Sequence, residues 1–390
     1  VGIRSAGELI GAANWPLFIY GGNDENVDLP ENTKRFNPGL SYSGGRCMSS
    51  RLERLQVRRV DPSIKGKTWD QAVAMEAFAR VADDDAIKYA IGAMQPIDPD
   101  YTKNCFVEGD RVKNQLDKGL STSAEFAYQG SVTNDTHIKA HSDIDLLTLH
   151  SAFSTVERPG VPAGPYQGDV FADLKSLRLD ATTVLRKVFP EANVDDAPGK
   201  AISLTGGSLR RKVDVVIGNW WDTVEYQQLA LPDNRGVKIF DSRTGSRIEN
   251  KPFLHNNRVA TRDQNLNGSL RKVIRLLKSL RYDAETEVKI SSYDIAAIGY
   301  AMPDHLLSVP HGFELRLVEA CQTWLLQLAS DNALRERLEV PNGMRRIFGA
   351  DGASTTGLHQ LYREVAGLMD DIKRGLSRSF RKLEEARVVY

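Results

Sequence analysis

The stretch "YQGSVTNDTHIKAHSDIDLLTLH", Tyr128 to His150, joins a Gly-Ser pair, a polar spacer and an Asp-Ile-Asp triplet that opens an aliphatic run. "DIDLLTLH" reads as a strand. Side chains alternate along a strand, so Asp143 and Asp145 point to one face while Ile144 points into a core. Two carboxylates side by side repel unless a cation shares them, and hard oxygen ligands at this density suit Mg²⁺ or Mn²⁺. Upstream, Gly130 lets the backbone approach closely and Ser131 adds a hydroxyl, so the pair can offer donors to an anion. The anion expected beside such a metal is a triphosphate. A third acid is expected from a neighbouring strand, and "RRKVDVVIG" supplies Asp214 between Val213 and Val215, which face the other side.

Ahead of the motif, a helix is expected over about Thr102 to Leu120, with Phe106, Val112, Leu116 and Leu120 on its buried side. A shorter helix is expected near Ala86 to Met94, with Asp83, Asp84 and Asp85 as its N-terminus, where the helix dipole favours acids. Thr68 with Gln71 reads as a capping box for a further helix that carries Trp69, Ala72, Met75 and Ala79. Residues 1 to about 65 are rich in Gly, Asn and Pro and read as an irregular arm.

Beyond the motif, "AISLTGGSLRRKVDVVIGNWW" reads as two strands around a Gly206-Gly207 turn, with Trp220 and Trp221 as packing residues, and "GVKIFDSRT" as another strand. Helical periodicity takes over from about Ser269. In "FELRLVEACQTWLLQLA" the residues Phe313, Leu317, Ala320, Trp324 and Leu328 form one stripe, and Leu270, Val273, Ile274, Leu277 and Leu280 form another. Arg271, Arg275 and Lys278 fall on a different face of that second helix, which can be solvated or can face phosphates across a cleft. The fold class is therefore α+β. Residues 1–100 are an N-terminal extension, 101–250 a catalytic core and 251–390 a helical lobe.

Lys plus Arg equals Asp plus Glu at 51 each, so no global basic field marks a nucleic-acid binder, and any polyanion site is local. The three cysteines, Cys47, Cys105 and Cys321, fit neither a disulfide framework nor a zinc cluster, and a reducing cytoplasm suits them. His137, His141 and His150 lack zinc-like partners and read as neutral surface or turn residues. No apolar run is long enough for a membrane span, and no secretion signal is expected.

"GSVTNDTHIKAHSDIDLL" followed by "KVDVVI" resembles the signature of the polymerase-beta-like nucleotidyltransferase superfamily. The resemblance implies a palm made of a mixed sheet with flanking helices. It assigns Gly130 and Ser131 to the phosphate-gripping turn and Asp143, Asp145 and Asp214 to two catalytic Mg²⁺ or Mn²⁺ ions. Within the superfamily, "GSLRKVIRLLKSLRYDAETEVKISSYDIAAIGYAM" resembles the helical lobe of the cGAS/DncV-like nucleotidyltransferases of bacterial anti-phage defence. That likeness implies triphosphate contacts from Lys278 and Ser292 and base stacking by Tyr293. It also implies nucleoside triphosphates as substrates and a cyclic or short oligonucleotide signal as product. Residues 1–100 can then mediate homo-oligomerisation, cover the cleft or bind a cognate effector protein. Three other readings stay open: an RNA- or tRNA-directed transferase, a sensor that binds nucleotide without turnover, and DNA oligomer synthesis primed from a protein hydroxyl such as Tyr390, as in systems of the Hailong type.

Overall fold

The computed structural model describes residues 48–59, 84–139, 142–162 and 164–387. Cys47, Asp83, His141, Tyr390 and the expected helix around Trp69 lie outside them. Helix α1 (Met48–Arg59) forms where irregular chain was expected. Leu52 and Leu55, three residues apart, give it a buried stripe that the Gly- and Pro-rich composition upstream masks. In α2 (Asp85–Met94) the Asp84 carboxylate accepts from the N–H groups of Ala86 and Ile87, an N-cap in the expected place. Helix α3 (Pro99–Gly119) starts before its apolar periodicity does, because Asp98 caps it and Pro99 occupies the first turn.

The sheet follows as β1 (Ala124–Gln129), β2 (Ile144–Val156), the crossover helix α4 (Val170–Val188), β3 (Asn193–Asp195), β4 (Ile202–Thr205) and β5 (Val213–Asp222). After the short α5 (Val224–Leu229) come β6 (Gly236–Asp241) and β7 (Ser246–Asn250). The strand order is β1-β2-β5-β4-β3, with β6 paired to β5 and β7 to β6. Among the described strands only β2 and β5 pair in parallel. Parallel neighbours cannot share a hairpin, so the chain must cross over, and α4 is that crossing. The β4–β5 hairpin turns through Gly206 (φ 75°) and Gly207 (φ 59°), as expected for left-handed positions. Ile144, Leu146, Val213 and Val215 form a core with Leu116 of α3 and Leu174 and Leu185 of α4.

The helices that follow are α6 (Pro252–Asn265), α7 (Ser269–Tyr282), α8 (Ser292–Tyr300), α9 (Asp304–Leu307), α10 (Arg316–Ser330), α11 (Asn332–Arg337) and α12 (Thr355–Arg387). All five expected aliphatic residues of α7 are fully buried. The stripe of α10 holds at Leu317, Ala320, Trp324 and Leu328 but not at Phe313, which is 59% exposed. Phe313 sits in a turn after Gly312 (φ 91°), and α10 begins only at Arg316. The same core takes in Leu52 and Leu55 of α1 and Tyr89 and Met94 of α2. Among the described residues no helix is long and apolar enough to cross a membrane.

Candidate active site

The parallel register sets Asp145 of β2 against Asp214 of β5, and Asp143 stands one residue before β2. Ile144, Val213 and Val215 go under the sheet, so alternation leaves the three carboxylates on its opposite face. Lys212 precedes Asp214 by two residues and shares that face. Its Nζ lies 2.8 Å from Asp143 Oδ2 and 2.8 Å from Asp214 Oδ2. The Ser203 hydroxyl donates to Asp214 Oδ1 at 2.5 Å. Burial, then the charges of Asp214 and Asp143, push the Asp145 carboxyl up from 3.8 to about 7 against the pull of Lys212. Lys212 is itself desolvated, yet its two carboxylate partners outweigh that and raise its pKa.

The Gly-Ser turn lies directly on this face. Gly130 has φ 94°, and a Cβ there would sit 2.1 Å from Asp145 Oδ2, so only glycine fits between turn and carboxylate. A cavity of about 310 Å³ is lined by Gly130, Ser131, Asp145, Lys278, Ser292 and Tyr293, among others. An adjoining cavity of about 260 Å³ shares Ser131, Asp145, Lys278 and Ser292 and adds Asp143, Lys139 and Arg281. Seven of the eight residues singled out in the sequence thus line one cleft. Asp214 lies behind it, linked through Lys212.

The face of α7 that carries Arg275 and Lys278 is not solvated, since both are buried. Lys278 Nζ donates to Thr136 O at 3.0 Å and to Thr136 Oγ1 at 3.2 Å. Burial, then the Arg275 guanidinium, lower its pKa from 10.5 to about 7. Tyr293 donates its hydroxyl to Asn342 Oδ1 at 3.2 Å, and its ring stacks on His255 with centroids 5.0 Å apart. Burial, then Lys278, lower the His255 pKa to about 4, so this ring is a neutral apolar neighbour with a polar edge. His137 and His150 are buried rather than exposed. Burial is the main cause that keeps both neutral, with His137 lowered to about 3. Lys212 and His255 were not foreseen. Lys212 could have been read from its spacing to Asp214, whereas His255 has no local signal because only the tertiary fold brings its ring onto Tyr293 of α8.

Among the described residues no three Asp, Glu, His or Cys side chains are preset around a single point as a metal cage. The donor set nevertheless fits a hard divalent cation. Three carboxylates crowd one face, burial and then the charges of the other two push the Asp145 carboxyl up, and an ammonium bridges Asp143 and Asp214 where a cation would relieve the repulsion.

A mixed palm sheet with paired acids at the start of one strand, a third on its parallel neighbour, and a helical lobe closing the cleft defines a nucleotidyltransferase. Residues 257–369 match the family described as the cGAS/DncV-like nucleotidyltransferase C-terminal helical domain. The cyclic dinucleotide synthase CdnE of Yersinia aleksiciae is 37% identical over 329 residues, covering 77% of this chain and 86% of that protein. A c-di-GMP synthase of Lachnospiraceae bacterium (strain RUG226) is 31% identical over 254 residues, 59% of this chain and 72% of that one. The structure of a STING-associated CdnE c-di-GMP synthase from Capnocytophaga granulosa superposes with a TM-score of 0.70 at 29% identity, covering 84% of this chain and 99% of that one. This chain belongs to the cGAS/DncV-like nucleotidyltransferases.

Proposed function

We propose that the chain joins nucleoside triphosphates into a cyclic dinucleotide that serves as a signal in anti-phage defence. The carrying observation is the single cleft in which Gly130, Ser131, Lys278, Ser292 and Tyr293 meet Asp143 and Asp145, with Asp214 behind them. A ribose hydroxyl of one nucleotide attacks the α phosphorus of another, pyrophosphate leaves, and a second transfer closes the ring.

On this reading Gly130 and Ser131 grip the triphosphate with backbone N–H groups and a hydroxyl, Lys278 supplies a positive charge and Ser292 a further donor. Tyr293 stacks on the base, backed by the His255 ring. Asp143, Asp145 and Asp214 would hold the two Mg²⁺ or Mn²⁺ ions. When bound, the metal supplies charge stabilisation for the transferring phosphoryl group and makes the attacking hydroxyl a better nucleophile. Lys212 keeps Asp143 and Asp214 together on the face where the cation would bind. Residues 101–250 are then the catalytic core and 251–390 the helical lobe, whose packing α1 and α2 complete. The cytoplasm is the site of action, and an effector protein that senses the product is the partner. Similarity to c-di-GMP synthases supports GTP as the first substrate to test.

The test is mass spectrometry of products after incubation with Mg²⁺ or Mn²⁺ and each ribonucleoside triphosphate, alone and mixed. A phosphatase-resistant cyclic dinucleotide is expected. Intact-protein mass that grows by nucleotide increments, or no product from any mixture, would overturn the reading.

A further inference from the structure

The loop between Ser131 and Lys139 follows the Gly-Ser turn and contains no strand or helix. Its carbonyls nonetheless have fixed partners. Arg271 Nε donates to Asn134 O at 2.9 Å, Arg275 Nη1 to Asp135 O at 2.7 Å and Lys278 Nζ to Thr136 O at 3.0 Å. Spacing of i, i+4 and i+7 puts the three cations in a row on α7, and they meet three consecutive carbonyls. From α1, Arg58 Nη1 donates to Ile138 O at 2.6 Å. Arg275 also caps the end of α2, giving Nε–H to Met94 O at 2.8 Å. Asp135, in the middle of the row, has φ 50°, a left-handed backbone that its surroundings must hold.

Of the four cations, Lys278 lines both cavities and can reach a phosphate. A triphosphate therefore competes with Thr136 for its ammonium. We infer that Arg58, Arg271 and Arg275 are positioning residues for nucleotidyl transfer, holding the loop so that Ser131 and Thr136 stay aimed into the cleft when Lys278 turns to the substrate. Arginine suits the task because one guanidinium donates in two directions, as Arg275 does to Met94 O and Asp135 O, which an ammonium on a flexible stem does poorly. Through Arg58, helix α1 belongs to the nucleotide-binding machinery although it lines neither cavity.

This inference rests on the nucleotide reading of the cleft. The test uses the full chain with Arg275→Lys and, separately, Arg271→Met. Affinity for a nonhydrolysable GTP analogue, kcat and KM, melting temperature and hydrogen exchange of residues 131–139 are measured. Arg275→Lys is expected to raise KM about tenfold, since small misplacement of a binding group is costly, and to speed exchange in that loop while the cooperative melt persists. Arg271→Met is expected to act in the same direction and to decide the matter alone if Arg275→Lys does not fold. Wild-type affinity and wild-type loop exchange in the folded variants would overturn the inference while leaving the function standing. A wild-type chain that binds no triphosphate would overturn both.

Discussion

Replacing Lys278 by methionine is expected to make the nucleotide-free protein more stable and the enzyme inactive. Methionine keeps much of the shape of the lysine stem and removes the ammonium. The fall of the Lys278 pKa from 10.5 to about 7, at about 1.4 kcal/mol per unit, means the fold bears at most roughly 5 kcal/mol to keep that charge buried. The variant loses two hydrogen bonds to Thr136 and leaves its carbonyl unpaired, a cost of about 1–3 kcal/mol. A net gain of at most about 2–4 kcal/mol remains at neutral pH, a rise of several degrees in Tm. The sign of the pH dependence is fixed by which state holds the proton. Between pH 7 and 10.5 the unfolded chain keeps the lysine proton that the folded chain releases, so wild-type stability rises across that window and the burial cost is complete below it. The advantage of the methionine variant should therefore be full at pH 6 to 7 and absent near pH 10.5. Thermal melts of both proteins across this range, beside a pyrophosphate-release assay, measure it. A variant that melts below wild type at pH 7, or a difference that does not change with pH, refutes the reasoning.

Asp145→Asn and Asp214→Asn should each lower pyrophosphate release by roughly a thousandfold or more, as expected when charge stabilisation of a transition state is removed, with circular dichroism unchanged. Gly130→Ala should be both inactive and less stable by roughly 1–3 kcal/mol in denaturant melts, because its backbone is left-handed and its Cβ would displace the Asp145 carboxylate. Tyr293→Ala should raise KM for the nucleotide about tenfold or more through lost stacking, with Tyr293→Phe close to wild type in a steady-state assay. Without metal, the Asp145 carboxyl, raised from 3.8 to about 7, makes the fold lose stability as pH rises through that window. Mg²⁺ should therefore raise Tm more at pH 8 than at pH 5.5 in a thermal-shift titration.

Much of this site was legible because strand alternation is a local rule. Ile144 between two acids, and Asp214 between two valines, declare their faces without knowledge of the fold. The parallel pairing that sets Asp145 against Asp214 was not legible, since it depends on α4, whose residues carry no mark of where they return the chain. Strand β1, "AEFAYQ", was missed for a related reason. Its Ala, Glu and Gln are poor strand formers, and pairing with β2 alone fixes their conformation. Helix α1 was hidden by the Gly- and Pro-rich text before it, and its arginines gain meaning only from the carbonyls they meet. The cationic face of α7 was ambiguous for the same reason: spacing placed Arg271, Arg275 and Lys278 in a row, but only tertiary structure supplied the partners.

The two walls of the cleft are written in separate stretches of chain. The carboxylates and the Gly-Ser turn come from β1, β2, β5 and the loops beside them, whereas His255, Asn256, Ser292 and Tyr293 come from α6 and α8. Changes confined to α6 and α8 can therefore reshape one wall of the cleft without touching the steric lock between Gly130 and Asp145 on the other.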